Sequence, residues 1–277
     1  MISILGNIDT IQKRKEIINI LINPKPTKLV DLPLFSADGK TIVDFSAFLK
    51  GLNPKNIKTI LNKLPTIYIG GVDKAPIGAI QDPAGTAIGA VDRITKLPLK
   101  PIRTGSGGAS SSIYNAFPDL EHIPNFKEGE SQFNSTKGLG KKILHTHAYD
   151  LRKQNKNPKY GDHASDIILL LQDSYANAIL CFNKYKNNLD IKDRYILNLV
   201  PLSASIFASD FGKTYFGMDG FHMSPSYTFM GIIYAMNNIL NNKGEIPNLN
   251  IYYFSPIVKQ DADIVLNEIK QALLQLI

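Results

Sequence analysis

A glycine- and serine-rich run at residues 104–114, TGSGGASSSIY, has the composition of an anion-binding loop. Glycine lets a backbone curl so that several N–H groups point inward. A helix that begins behind such a loop adds free N–H groups and the positive end of its dipole. The run therefore predicts a phosphate site built from the backbone. A plain glycine-serine turn is the alternative, because the dinucleotide and Walker fingerprints are both incomplete here.

Two histidines could support metal chemistry. His145 and His147 lie two residues apart on a predicted strand, so both side chains point to the same face. Together with Asp150, His163 and His222 they allow a metal-dependent hydrolase, although the spacing of these three is not diagnostic. The alternative is one histidine that is hydrogen-bonded in the core and one at the end of the strand.

Three aspartates in long loops are candidates for acid–base chemistry, namely Asp82, Asp92 and Asp210. A carboxylate beside a substrate can activate water or take up a proton. The alternative for each is a loop-capping or solvated carboxylate, a frequent role of aspartate in turns.

The elements that must position these residues alternate along the chain. From residue 142 the order is strand, helix, strand, helix, strand, helix, which predicts an α/β layered fold with a largely parallel sheet. Ligands of such sheets bind beyond the carboxyl ends of the strands. The long loops at 82–107 and 201–223 each follow a strand, so we expect both at the same edge of the sheet.

Individual elements follow from periodicity, caps and prolines. The apolar runs predict strands at 2–5, 66–71, 77–81, 142–147, 195–200 and 250–254. Helices are predicted at 9–21, 43–50, 55–63, 110–116, 163–185, 225–240 and 261–276. Asp82-Pro83 is expected to end the strand at 77–81, and Ser224 is expected to cap a helix that begins at Pro225.

Composition bounds the class of protein. The chain has 277 residues, of which 44% are hydrophobic, enough for one sizeable core. The net charge of +7 comes without a dense lysine–arginine block, so we expect no nucleic-acid partner. No apolar run approaches the ~18 residues of a membrane span. The single cysteine, Cys181, excludes an internal disulfide, and the lack of a signal pattern leads us to expect a cytoplasmic location.

Several segments in a fixed order carry a family resemblance. Residues 4–9, 79–85, 106–113 and 201–208 have the sequences ILGNID, AIQDPAG, SGGASSSI and PLSASIFA. In that order they resemble the first strand with its Gly-Asp-Ile turn, the Ala-Ile-Val-Asn-Ala-Ala-Asn strand, the Gly-Gly-Gly-Val phosphate loop and the Pro-x-x-Ser-Thr-Gly-Val-Phe-Gly loop of the macro domain family. The segment ILHT at 143–146 is similar to the family's Val-Ile-His-Thr strand. Members of this family bind ADP-ribose.

The resemblance implies a three-layer α/β fold in which helices flank a mixed, largely parallel central sheet. It implies a single domain over residues 1–277, with an inserted and mostly helical segment at about 11–65. The implied ligand is ADP-ribose or an ADP-ribosylated protein, and we expect neither a cofactor nor a membrane partner.

The resemblance also implies roles for single residues. Backbone N–H groups of the first loop would face one phosphate of ADP-ribose, and those of the second loop would face the other. Phe207 would lie against the distal ribose, Phe254 would pack on the adenine, and Asn7 stands where the family has an adenine-reading Asp. The full set of expected ligand-binding residues is Asn7, Ile8, Gln81, Gly105, Ser106, Gly107, Gly108, Ala109, Ser110, Ser203, Ala204, Ser205, Ile206, Phe207 and Phe254.

Catalysis is less well supported by the motifs than binding is. Hydrolytic members of the family often have Asn at the position of Gly85 and Asp at that of Ser110, and both are absent. Another branch uses an acidic residue in the second loop, which makes Asp210 a catalytic candidate beside Asp82. Hydrolysis of an ADP-ribosyl linkage is therefore one expectation. A non-catalytic ADP-ribose reader and a metal-dependent hydrolase that uses the two strand histidines are the alternatives.

Overall fold

The computed structural model describes residues 33–35, 42–44, 49–84, 108–120, 127–149, 164–204 and 220–277. Its strands are β1 (Pro33–Phe35), β2 (Ile42–Asp44), β3 (Thr66–Ile69), β4 (Ala79–Ala84), β5 (Ser131–Phe133), β6 (Ile143–His147), β7 (Ile196–Leu199) and β8 (Asn248–Tyr253). Its α-helices are α1 (Pro54–Asn62), α2 (Ala109–Ala116), α3 (Ala164–Tyr185), α4 (Gly220–Asn241) and α5 (Pro256–Leu274). Short 3-10 helices cover Val72–Lys74, Leu139–Lys142, Lys186–Asn188 and Ile191–Asp193.

A six-stranded mixed sheet forms the centre of the described fold. Its strand order is β3-β8-β7-β4-β6-β5, and all neighbours are parallel except β5, which is antiparallel to β6. β1 and β2 form a separate antiparallel pair. The chain alternates β6, α3, β7, α4, β8 and α5, so the predicted α/β class and the largely parallel sheet are confirmed.

The parallel strands are buried because helices cover them, as their apolar sequences require. Ile143 and Leu144 of β6 and Leu197 of β7 are fully buried. α3 packs along α4 and also contacts β5 and β6, while α5 contacts β3 and β8. α2 packs on β4 and on the 3-10 helix Val72–Lys74, which keeps the start of α2 beside the ends of the strands.

The sequence predicts that Asp82-Pro83 ends the strand, but β4 continues to Ala84. β4 pairs with β7 only at Ala79 and Ile80, whereas it pairs with β6 from Ile80 to Ala84. Pro83 therefore lies where β4 has one strand neighbour, and a proline, which has no N–H to donate, is tolerated at such a position.

Other element boundaries also differ from the sequence predictions. Residues 42–44 form β2, so the start of the helix predicted at 43–50 is wrong, although residues 49 and 50 are helical. α4 begins at Gly220, which puts Pro225 inside the helix rather than at its start. α5 begins at Pro256, and β5 was not predicted, because a three-residue strand has too little periodicity to be recognised.

The edge of the sheet beside β8 is formed by β3. The apolar pattern predicts a first strand at residues 2–5, and these residues, with the helix predicted at 9–21, lie outside the described part. Both 2–5 and 66–69 are short apolar runs followed by glycine, so the sequence pattern does not decide which of them forms the strand beside β8.

Asparagine side chains fix α1 to α4. Asn53 caps α1, since its Oδ1 accepts from Lys55 N at 3.1 Å, and its own backbone N–H donates to Asn237 Oδ1 at 3.1 Å. Asn56 Nδ2 donates to the same oxygen at 3.0 Å, and Asn53 Nδ2 donates to Asn241 Oδ1 at 2.8 Å. The part of the predicted insertion that forms α1 is thus joined to the helices around the sheet.

Candidate functional site

A cavity of about 310 Å³ opens at the carboxyl ends of the parallel strands. Its walls come from the segments that follow β3, β6 and β7, from β4, from the end of β8 with the residue after it, and from the start of α2. The lining residues are Gly70, Gly71, Val72, Asp73, Pro83, Gly108, Ala109, Ser110, Ser112, Ala148, Val200, Pro201, Ser203, Ala204, Tyr252, Tyr253 and Phe254. This is where α/β sheets bind ligands, so we call it the site cavity.

The N-terminal end of α2 forms one wall of the site cavity. Gly108 precedes this helix with φ +91°, in the left-handed region that glycine adopts without steric cost. The intrahelical bonds start with Ser112 N donating to Gly108 O at 3.4 Å, so the amides before Ser112 have no helical acceptor. Ala109 and Ser110 carry two of these amides and line the cavity. This wall can accept an anion.

A tight turn at residues 200–204 forms a second wall of the site cavity. Ser203 has φ +53°, which is uncommon for a residue other than glycine. Its hydroxyl donates to Tyr149 O at 2.6 Å, which holds the strained conformation from outside the turn. Ser203 and Ala204 line the cavity, so the two segments expected at one edge of the sheet do meet there in their described parts.

Aromatic rings and one carboxylate line the end of the cavity near β3 and β8. Tyr252 stacks on Tyr68 of β3 with ring centroids 5.1 Å apart, and Phe254 is 78% exposed. Burial raises the pKa of Tyr252, so its hydroxyl stays protonated at neutral pH. Asp73 is the only carboxylate among the described lining residues. This end combines flat apolar surfaces with a hydrogen-bond acceptor.

The predicted ligand-binding residues fall into three groups. The site cavity is lined by Gly108, Ala109, Ser110, Ser203, Ala204 and Phe254. Outside the described residues lie Asn7, Ile8, Gly105, Ser106, Gly107, Ser205, Ile206, Phe207 and the catalytic candidate Asp210, together with Asp92. Gln81 and Asp82 are described and are not among the lining residues.

Gln81 is fully buried and connects neighbouring strands of the sheet. Its Nε2 donates to Thr146 Oγ1 at 3.0 Å, and its Oε1 accepts from Val200 N at 3.2 Å. Both ends of the amide are therefore engaged inside the protein. Gln81 fixes Val200, where the second wall of the cavity begins, rather than facing the cavity itself.

Asp82 is also fully buried, in a chain of hydrogen bonds. Asn134 Oδ1 accepts from Thr136 N at 3.0 Å, which turns the Asn134 Nδ2 toward His145 Nε2, also at 3.0 Å. An amide nitrogen only donates, so Nε2 accepts and carries no proton. The proton of His145 is then on Nδ1, which donates to Asp82 Oδ2 at 2.6 Å.

This chain of hydrogen bonds weakens the metal alternative. Both ring nitrogens of His145 are engaged, so metal ligation would require breaking a buried hydrogen bond. Within the described ranges no group of three or more His, Cys, Asp or Glu residues is arranged to hold a metal ion. Asp150, His163 and the side chain of His222 lie outside these ranges.

The turn after β3 is the main part of the site that the sequence analysis missed. Gly70, Gly71, Val72 and Asp73 all line the cavity. The available signal was the apolar run at 66–69 with two glycines behind it, a pattern typical of a strand that ends at a turn. Tyr252 was missed as well, because the sequence gives no direction for its side chain.

Among the described helices, none is long and apolar enough to cross a membrane.

Comparisons with known proteins give matches among solved structures alone. No protein-family model and no curated protein matches the chain. An alphavirus structure, P23pro-zbd, matches at a TM-score of 0.47 and 17% identity over 76% of this chain, which spans 24% of the alphavirus chain. An Oceanobacillus iheyensis macrodomain with ADP matches at a TM-score of 0.44 and 15% identity, covering 76% of this chain and 91% of that one.

A Trypanosoma brucei macrodomain in complex with ADP matches at a TM-score of 0.46 and 13% identity, covering 79% of this chain and 75% of that one. The two macrodomain matches bear the name of the family that the sequence motifs resemble. At these identities and TM-scores, the similarity by itself assigns neither a ligand nor an activity to this chain.

Proposed function

We propose that the site cavity binds ADP-ribose, free or attached to a protein. The observation that carries this proposal is that the start of α2 and the turn at 200–204 line one cavity at the carboxyl edge of the sheet. The volume of about 310 Å³ lies within the range of roughly 300–1,000 Å³ that is usual for small-molecule sites.

The diphosphate of ADP-ribose suits the two backbone walls. It carries two negative charges, and no lysine or arginine is among the described lining residues. Free amides at the start of a helix bind such a group through N–H donors and the helix dipole. The formal net charge of +7 adds a general attraction for anions. An elongated diphosphate held between two backbone segments is therefore the ligand type that this lining favours.

The adenine of ADP-ribose suits the aromatic end. Tyr252 and Phe254 offer ring faces against which a base can stack. The carboxylate of Asp73 is an acceptor for the exocyclic amino group of the base. The role first expected for Asn7 is thus proposed here for Asp73, and Asn7 itself stays a prediction.

Hydrolysis of an ADP-ribosyl linkage remains a prediction without support from the described lining. Asp82 is fully buried and does not line the cavity, and the sequence lacks the Asn and Asp that hydrolytic macro domains often have at Gly85 and Ser110. The non-catalytic reader is therefore the form of the function that we propose. Incubation with ADP-ribosylated protein tests this choice, since release of ADP-ribose would make the chain an eraser.

Calorimetric titration with ADP-ribose tests the binding itself, using a pair of variants at Gly108. Gly108→Ala places a side chain at φ +91° and ψ −167°, a backbone conformation that only glycine adopts readily, at a cost of about 1–3 kcal/mol, although a Cβ there has open space around it. Gly108→Glu adds a negative charge to the same strain. We expect the alanine variant, which has the strain without the charge, to bind more weakly than the wild type, and the glutamate variant to lose binding.

Asn115→Glu provides the charge control, because Asn115 is exposed on the same helix and does not line the cavity. It should bind ADP-ribose as the wild type does. Absence of binding by the wild type at high micromolar ADP-ribose would refute the proposed function. Equal binding by all four chains would show that the ligand does not contact the start of α2.

A further inference from the structure

We propose that the hydroxyl of Tyr175 is a positioning group that holds the turn at 200–204 in its binding conformation. Tyr175 lies on α3 and is fully buried, so its hydroxyl does not touch a ligand in the cavity. This inference rests on the proposed binding of ADP-ribose and adds the residue that sets its affinity from behind the cavity wall.

The Tyr175 hydroxyl makes two hydrogen bonds to the same turn. It donates to Val200 O at 3.0 Å and accepts from Leu202 N at 3.0 Å. Since burial raises the pKa of Tyr175 well above its ordinary value of 10.0, the hydroxyl keeps the proton that it donates. One group thus satisfies a carbonyl and an amide on either side of Pro201, which has no N–H of its own.

Both backbone groups belong to residues that are almost fully buried, since Val200 is 3% exposed and Leu202 is 1% exposed. Buried backbone groups without partners are disfavoured. Without the hydroxyl, a shift of the turn that lets the Val200 carbonyl and the Leu202 amide bond to water or other groups would lower the free energy. The residues of the turn that line the cavity would shift with it.

The other described hydrogen bonds of the turn are at its two ends, where Val200 N donates to Gln81 Oε1 and Ser203 bonds to Tyr149, whereas Tyr175 holds its middle at Leu202. Ser203 follows with φ +53°, held by the bond from its hydroxyl to Tyr149 O at 2.6 Å. A strained residue persists only where its surroundings fix it. The Tyr175 and Ser203 contacts together hold the turn from behind, which leaves its inner side for the ligand.

Tyr175→Phe and Tyr227→Phe form a matched pair of variants. Each removes one buried tyrosine hydroxyl, but the Tyr227 hydroxyl has no hydrogen-bond partner among the described residues, and Tyr227 does not line the cavity. If, without the Tyr175 hydroxyl, the turn keeps its binding conformation in about one molecule in ten, the affinity for ADP-ribose falls about tenfold. Tyr227→Phe should bind as the wild type does.

The experiment combines titration of ADP-ribose with amide hydrogen exchange, at a temperature where all three full-length chains are folded. We expect about tenfold weaker binding and faster exchange at Leu202 in Tyr175→Phe alone. A purely structural role would lower the unfolding temperature without changing the affinity of the folded chain. Binding within twofold of the wild type, or equal weakening in both variants, would overturn the proposal.

Two outcomes separate this inference from the function on which it rests. If the wild type does not bind ADP-ribose, the proposed function fails, and the affinity role of Tyr175 fails with it. If the wild type binds but Tyr175→Phe does not fold, the exchange of Leu202 in the wild type still tests the contact. Exchange of that amide at the rate of an exposed one would refute the positioning role.

Discussion

Replacing Asn134 by alanine should destabilise the protein through the buried chain of Asp82, His145 and Asn134. The substitution removes the donor to His145 Nε2 and the acceptor for Thr136 N, both at 3.0 Å. His145 is fully buried, so its Nε2 is left without a partner, at a cost of about 1–3 kcal/mol. Thr136 is half-buried, and water can replace its lost acceptor in part. We therefore expect a loss of about 2–3 kcal/mol in the free energy of unfolding.

Urea denaturation of the full chain measures this loss. Asn115→Ala is the control, since Asn115 is exposed on α2 and its replacement should change the free energy of unfolding by no more than about 0.5 kcal/mol. A loss for Asn134→Ala as small as that of the control would mean that the chain of hydrogen bonds contributes little. The prediction would then fail on energetic grounds.

The protonation of His145 tests the same reasoning without a variant. Long-range ¹H–¹⁵N correlation spectra distinguish a neutral ring with the proton on Nδ1 from the other tautomer and from the charged ring. We expect the Nδ1–H tautomer, because the Asn134 amide occupies Nε2 as a donor. A proton on Nε2 at neutral pH would refute the amide orientation and the argument built on it.

Three further predictions concern packing and titration. Asn237→Ala removes an acceptor shared by Asn53 N and Asn56 Nδ2. Proteases should therefore cleave α1 faster, and the free energy of unfolding should fall by about 1–2 kcal/mol. An unchanged rate of cleavage within α1 would contradict this. Burial raises the pKa of Glu268 from its ordinary 4.5 to about 7. The native state then binds more protons than the unfolded chain between these pH values, so stability should fall as pH rises from about 4.5 to 7. Glu268→Gln should reduce this change of the unfolding temperature with pH. Equal pH dependence in the variant and the wild type would refute the raised pKa of Glu268. Burial also raises the pKa of Cys181 to about 11, so iodoacetamide at pH 8 should alkylate the native chain far more slowly than the urea-unfolded chain, and equal rates would show the thiol to be accessible and ionised.

The sequence by itself determined the class of the fold and one wall of the site. Strand and helix periods differ, so the alternation from residue 142 onward could be recognised locally and predicted a parallel sheet with its ligand edge. The wall at Gly108 could be predicted for the same reason, because a glycine followed by a short helix has a local conformational meaning. The prediction that the two long loops lie at one edge of the sheet followed from chain direction alone, and the described parts of both loops line one cavity.

Only the tertiary structure decided which side chains reach that cavity. Gln81 and Asp82 were predicted to bind or act on the ligand, but their strand is flanked by β6 and β7, and both side chains are used inside the sheet. Gly70 to Asp73 entered the site because β3 pairs with β8, a contact between residues far apart in the chain. Register and strand order depend on such distant partners, whereas composition and periodicity report only on near neighbours.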